Sequence, residues 1–242
     1  MKTTKSGKYD IVYMVKDSAP NEELRYSLRS VEKNWVTPGD VWIFGGCPDG
    51  IVPDRFVPVD MVMPGKWENT HRLMRLICEC GEISEDFWFF NDDFFVMKPV
   101  SEDMPQMYHG TIPDVIREVK SPDASVRYWT DQLEILVDLF RREGMSCVNY
   151  EVHKPMLINR KKMLDLMDRY PQALFTRSLY GNYYNVGGVD GCDVLVKFAY
   201  GNISWAREQT FVSTTEDSFA RGEIGEYIRS RFPTPSVWEE TP

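Results

Sequence analysis

The stretch from Phe87 to Pro99 restricts the fold more than any other part of the chain: Phe87-Trp88-Phe89-Phe90-Asn91-Asp92-Asp93-Phe94-Phe95-Val96-Met97-Lys98-Pro99. Four aromatic residues lead into two adjacent acids, and apolar residues resume at once on the other side. A run so rich in aromatic and β-branched residues predicts one strand buried on both faces, the kind found inside a helix-covered sheet. Carboxylates within such a run cost several kcal/mol unless they end the strand at a cleft or meet a cation. Ligands of open α/β sheets bind outside the carboxyl ends of the strands. Asp92 and Asp93 are therefore expected to form a metal and phosphate site.

Segments on either side supply the rest of an α/β chain. Tyr9–Val15 reads as the first strand, followed by a polar loop at Lys16-Asp17-Ser18-Ala19-Pro20. Asn21 is placed to cap a helix that carries Glu22 and Glu23 in its first turn and Leu24, Leu28 and Val31 along one face. No glycine-rich fingerprint accompanies this βα unit, which leaves a dinucleotide fold and a P-loop unsupported. Arg25 and Arg29, four apart, form either a cationic strip near a phosphate or a solvated face paired with Glu22 or Glu32.

Val41–Phe44 and Phe56–Met63 read as further strands. A helix capped by Asn69 or Thr70 follows, with Leu73, Leu76, Ile77 and Cys80 inward and His71 in its first turn, facing either a substrate or solvent. Ser101–Pro122 reads as an irregular active-site or crossing segment. Val126 to Phe140 marks a long amphipathic helix closed by Gly144. Val148–His153 reads as a strand ending at His153, Asn159 caps another helix, and Tyr180–Gly188 reads as a mobile binding loop. A late strand at Phe211 and a helix from about Ser218 to Arg231 complete the chain.

With 242 residues, one α/β domain or a domain with an appended lobe is the natural expectation. A net charge of −9 argues against broad attraction to nucleic acid or anionic membrane, although a local basic groove survives that argument. Five cysteines without paired CxxC spacing are expected to be reduced thiols in a cytoplasmic protein. No apolar run approaches the roughly 18 residues of a membrane span.

Asp10-Ile11-Val12-Tyr13-Met14-Val15 with Glu23 to Asn34, and then Ile83 to Phe95, resemble motifs of the Stealth family of sugar-phosphate transferases, whose core is related to GT-A-type glycosyltransferases. A weaker match is His153-Lys154-Pro155 with the Lys161/Lys162 helix behind it. Two departures stand beside these matches. Met14-Val15-Lys16-Asp17-Ser18 replaces the family's Thr-Trp-Val-Asp/Asn-Gly run, and Thr176-Arg177-Ser178 only faintly echoes its Arg-rich last motif. The ending, from Ser213 to Pro233, looks like that of compact bacterial and phage glycosyltransferases.

The resemblance implies a GT-A-like (Rossmann-like) mixed sheet flanked by helices in a single domain over 1–242. The nucleotide-sugar core would occupy about 9–170, and an acceptor-side extension about 171–242. It further implies a nucleotide-diphosphate sugar donor, UDP-sugar favoured, and Mn²⁺ or Mg²⁺, cations that suit hard oxygen ligands. Asp93 is expected as a direct metal ligand. Asp92 would be a ligand through water or a contact to the donor, with Asn91 orienting both. His153 is expected as either a third metal ligand or the catalytic base. Donor contacts extend to Lys16, Asp17, Arg25, Arg29, His71 and Arg177.

The expected activity is metal-dependent transfer of a sugar to a hydroxyl acceptor. Transfer of hexose 1-phosphate and binding of a nucleotide-sugar without turnover are the alternatives. The acceptor is a glycan or a hydroxymethylated base in phage DNA, for which Arg141, Arg142, Arg160, Lys161, Lys162 and Arg169 offer phosphate contacts.

Overall fold

The computed structural model describes residues 8–17, 19–119 and 123–240. The basic start of the chain, Ser18 of the first loop and the end of the 101–122 segment lie outside these.

The central sheet has five strands: β1 (Asp10–Val15), β2 (Val41–Gly45), β3 (Arg55–Pro58), β4 (Asp86–Asn91) and β7 (Met156–Asn159). Their spatial order is β3-β2-β1-β4-β7, parallel except for β7, which runs antiparallel to β4. Near-continuous apolar sequence is what such a position demands, because successive side chains alternate faces and both faces are covered. On β4, Phe87 and Phe89 enter the core under α2 (Lys66–Glu79), α4 (Ala124–Glu143), α5 (Arg160–Arg169) and α6 (Thr176–Tyr183). Trp88 and Phe90 enter the opposite core, under α1 (Glu22–Asn34). The same division sorts Val12 and Met14 from Ile11, Tyr13 and Val15 on β1. The molecule is thus an α/β fold with a mixed sheet flanked by helices.

The aromatic run is not one strand. Asp92 and Asp93 form a two-residue turn, and the chain resumes as β5 (Phe94–Val96) in a second sheet, ordered β5-β10-β9 with β9 (Leu195–Val196) and β10 (Phe211–Thr214). A polar stripe on α1 explains why β5 docks there. Val96 N–H donates to Ser30 Oγ at 2.9 Å, Asn34 Nδ2 donates to Val96 O at 2.6 Å, and Ser27 Oγ donates to Phe94 O. These bonds satisfy an edge that would otherwise leave buried backbone groups unpaired. The far side of this sheet packs Phe95 and Val212 against Phe219, Ile224 and Ile228 of α8 (Glu216–Arg221) and α9 (Glu223–Arg231).

Several local expectations are corrected. The helix after β3 begins at Lys66 behind Gly65, so His71 lies in its second turn, and Met74 and Cys78 are buried where Leu76 and Cys80 are only partly covered. The segment after Ser101 holds β6 (Met107–Tyr108), paired with β8 (Val189–Asp190), and α3 (Ile112–Glu118). Residues 148–153 make one isolated bridge and a bend in place of a strand, and β7 begins beyond Pro155. Residues 180–183 belong to α6 and are not a loop, and the final helix breaks at Gly222 into α8 and α9. None of the five cysteines forms a disulfide. No helix among the described residues is long and apolar enough to cross a membrane.

Candidate active site

After β1 the chain builds β2 and β3 on one side, then returns to lay β4 on the other, so the strand order reverses between β1 and β4. That reversal opens a crevice at the carboxyl ends of the two strands. Asp92 and Asp93 stand there, directly after Asn91, which pairs with Met14 of β1. Asn21 closes the crevice from the β1 side. Its Oδ1 accepts from Leu24 N–H at 2.9 Å, capping α1, and its Nδ2 donates to Asp92 Oδ2 at 2.6 Å. One side chain thus ends a loop, starts a helix and fixes a carboxylate.

Asp93 turns toward β10. Ser213 Oγ donates to its Oδ2 at 2.9 Å, whereas Oδ1 is buried without any hydrogen-bond partner. A third carboxylate, Glu23 in the first turn of α1, accepts from Thr214 Oγ1 at 2.5 Å. Burial chiefly, then repulsion from Asp93 and Asp92, pushes Glu23 up to about 7 despite that bond. Burial and the neighbouring Asp93 likewise push Asp92 up to about 6. Asp93 is raised above the usual carboxylate range by burial, which outweighs the pull of His153, the Ser213 bond and Lys66. Three acids at one cleft, all harder to ionise than usual, constitute an uncompensated demand for positive charge.

No family model and no curated protein matches this chain.

His153 lies in the bend before β7, where its charge reaches Asp93. Its Nδ1 meets Asp193 Oδ2 at 2.8 Å, and its backbone N–H donates to Asp193 Oδ1 at 3.1 Å. Burial raises Asp193, but the His153 bond and charge and the Val194 N–H outweigh it, so the carboxyl sits below its usual range. With Nδ1 against the Asp193 carboxylate, Nε2 is the ring nitrogen left outside that contact, the arrangement of a carboxylate-oriented imidazole.

The remaining expected residues are placed unevenly. Lys16 and Asp17 follow β1 at the rim of the crevice, both exposed, with Nζ and Oδ2 3.9 Å apart. Arg25 and Arg29 are claimed by Glu239 near the end of the chain. Arg25 Nη1 donates to its Oε2 at 2.8 Å, and Arg29 reaches both oxygens, Nε to Oε1 and Nη2 to Oε2, at 2.7 Å each. They clasp the C-terminal segment, a role that neither sequence alternative anticipated. His71 Nε2 is buried without a partner, and burial with the nearby Arg75 charge lowers its pKa. Arg177 donates to Glu151 Oε2 at 3.1 Å and to Val152 O at 2.6 Å, bracing the bend that carries His153.

In the basic patch, Arg141 pairs with Asp138 and Lys161 with Glu85, which lowers its net charge.

Among the described residues, no three His, Cys, Asp or Glu side chains come together as a set that could hold a metal ion by themselves. The donors present still suit a cation such as Mn²⁺ or Mg²⁺, which commonly takes one or two carboxylates and completes its shell with water and substrate phosphate. The unpartnered Oδ1 of Asp93 is the atom that most clearly lacks such a neighbour. Glu23, Ser213, Thr214 and Asp193 escaped sequence reading. For Asp193 a signal existed: an acid abutting the apolar run Val194-Leu195-Val196, as Asp92 and Asp93 abut theirs.

Proposed function

We propose that this chain is a GT-A-like, metal-dependent glycosyltransferase that moves a sugar from a nucleotide-diphosphate sugar to a hydroxyl acceptor. The observation that carries the proposal is the Asp92–Asp93 pair at the β1/β4 reversal, with Asp93 Oδ1 buried and unpartnered. Asp93 and Asp92 would hold Mn²⁺ or Mg²⁺ together with the donor phosphates. When bound, that cation neutralises charge gathering on the departing diphosphate.

The chain's own residues do the rest. Asn21 and Ser213 fix the two carboxylates in place, so little reorganisation is needed when a donor arrives. His153, oriented by Asp193, takes the proton of the acceptor hydroxyl at Nε2. The acceptor oxygen bonds to the anomeric carbon while the bond from that carbon to the diphosphate oxygen breaks, its electron pair leaving with the nucleotide. The hydrogen bond between His153 and Asp193 orients the ring and leaves Nε2 for the base role or for a metal, since a ligating imidazole commonly carries the same carboxylate partner.

Calorimetry with UDP-sugars in the presence and absence of Mn²⁺ tests the proposal, and no binding to any nucleotide-sugar would remove it. Product mass then separates sugar transfer from hexose 1-phosphate transfer, since only the latter retains a phosphate in the product.

A further inference from the structure

Lys154, in the bend that joins His153 to β7, is only 7% exposed, and its ammonium forms no hydrogen bond or ion pair among the described residues. Lysines so deeply covered are almost always paired, because an ammonium stripped of water without a counter-charge is costly. The bend is held too firmly to relieve it. Lys154 N–H donates to Val152 O at 2.9 Å, Arg177 Nη1 donates to the same oxygen at 2.6 Å, and Ser178 N–H donates to Glu151 Oε1 at 2.9 Å. The fold therefore keeps an unsatisfied cation one residue from His153.

A glycine backs the ammonium. A Cβ added to Gly191 would lie 3.2 Å from Lys154 Nζ, and Gly191 is outside the left-handed region that would call for glycine on its own account. Its N–H donates to Tyr108 O at 3.0 Å, which ties this side of the ammonium to β6. The nearby acids are engaged elsewhere. Asp193 holds His153, while Asp190 accepts from Gly110 N–H at 3.2 Å and stands 3.9 Å from His109 Nδ1. One run of four residues, Asp190 to Asp193, thus orients the imidazole through its last member and leaves room for the ammonium through its second.

We infer that Lys154 binds a single oxyanion, a phosphate monoester or a carboxylate, carried by the acceptor beside the hydroxyl that His153 deprotonates. The donor diphosphate belongs with Asp92 and Asp93, and Lys154 pairs with neither of them. Its place next to the base puts it where the acceptor must lie. A charge-assisted bond to an oxyanion supplies the counter-charge that the fold withholds. A nearly closed lysine suits one terminal group on a small acceptor, whereas duplex DNA, with its phosphodiesters flanked on both sides, is gripped through several exposed cations. The inference rests on the transferase reading for assigning the anion to the acceptor, and the anion site is testable in its own right.

The test titrates glucose 6-phosphate, glucuronate, glucose, inorganic phosphate and a short DNA duplex into the full chain in the presence of EDTA, and repeats the series on Lys154→Met and Gly191→Ala. UDP with Mn²⁺ is titrated separately into all three proteins. Methionine keeps most of the apolar stem and removes an unpaired buried charge, so the fold is expected to survive. Alanine at 191 keeps the charge and crowds Nζ, which gives a second, independent variant. The expected result is an anionic sugar held at least about tenfold more tightly than glucose by the wild-type chain. Lys154→Met should lose that preference, Gly191→Ala should weaken it, and UDP–Mn²⁺ affinity should be unchanged in both. Whichever of glucose 6-phosphate and glucuronate binds more tightly names the group. Equal affinity for charged and neutral sugars, no binding of any small anion, a preference that survives in Lys154→Met, binding confined to the duplex, or a parallel loss of UDP–Mn²⁺ affinity would overturn the inference. Failure of the wild-type chain to bind UDP–Mn²⁺ would overturn the transferase reading alone, and the sugar titrations would still decide the anion site.

Discussion

Arg29 grips Glu239 through two hydrogen bonds of 2.7 Å each, joining the middle of α1 to a residue 210 positions later in the chain. The Glu239 side chain is almost entirely buried, and its carboxyl lies at about 2. Burial raises it, and the bonds from Arg29, Ser236 N–H and Arg25 more than reverse that.

Removing Glu239 leaves two guanidinium groups without their counter-charge. Breaking a buried pair from one side costs about 3–5 kcal/mol. Glu239→Ala is therefore expected to lower the unfolding free energy read from urea denaturation by an amount in that range, and a change below about 1 kcal/mol, the worth of a surface pair, would show the clasp to be superficial. The depressed carboxyl also sets a pH window. Its contribution is complete above the ordinary value of 4.5 and is lost as pH falls toward 2.

Glu23 and Asp92 behave in the opposite sense. Their ordinary values of 4.5 and 3.8 rise to about 7 and about 6 in the folded chain, so between those limits the folded state holds more protons than the unfolded one. Metal-free stability is thus expected to fall as pH rises from about 4 to 7. Mn²⁺ should raise the melting temperature more at pH 7.5 than at pH 5. Asp93→Asn should abolish that metal response and stabilise the metal-free protein at the higher pH. Thermal melts with and without Mn²⁺ across this range check both statements, and a metal response that survives in Asp93→Asn would contradict the site.

His153→Ala is expected to lower kcat by about 10²–10⁴-fold, the usual worth of a general base, while nucleotide-sugar affinity stays within a small factor of wild type. Asp193→Asn should lower kcat while leaving the donor site intact, because it disturbs the ring orientation without removing the ring. Equal losses of donor affinity and kcat would instead assign His153 to the metal.

Gly181 is required by packing. A Cβ there would lie 2.4 Å from two carbons of the Tyr150 ring, and that ring is held in place by the bond from its hydroxyl to Gly187 O at 3.0 Å. Gly181→Ala is expected to cost about 1–3 kcal/mol through overpacking, read by chemical denaturation.

The same glycine shows why part of the fold was hard to read. Tyr180–Gly188, with its glycines and asparagines, has the composition of a loop, yet Gly181 serves a close approach to Tyr150 inside α6. Local sequence carries no trace of a partner thirty positions away. The strands β1, β2 and β4 were legible because burial on both faces forces uninterrupted apolar runs, whereas β7, four residues behind Pro155, was too short to show a period. Asp92 and Asp93 were legible for the same reason in reverse: acids inside aromatic sequence are conspicuous. Glu23 was not, because an acid in the first turn of a helix already has an ordinary explanation in the helix dipole. Arg25 and Arg29 were expected to meet a phosphate or Glu22 and Glu32, and the partner they have, Glu239, lies beyond the reach of any local pattern.

The chain distances within the site bear on how the protein is made. Glu23 meets Thr214 across 191 positions, Asp93 meets Ser213 across 120, and Arg25 meets Glu239 across 214. A ribosome delivering this chain from its N-terminus exposes the acids and the arginines long before their partners emerge. The first βα units can form early, but the crevice stays unfinished until β10 is released, and α1 stays unfastened for some twenty-five residues more. Synthesis that stalls between those points leaves an incomplete cleft and two unclasped arginines, a state distinguishable from the finished protein by protease or chaperone alike.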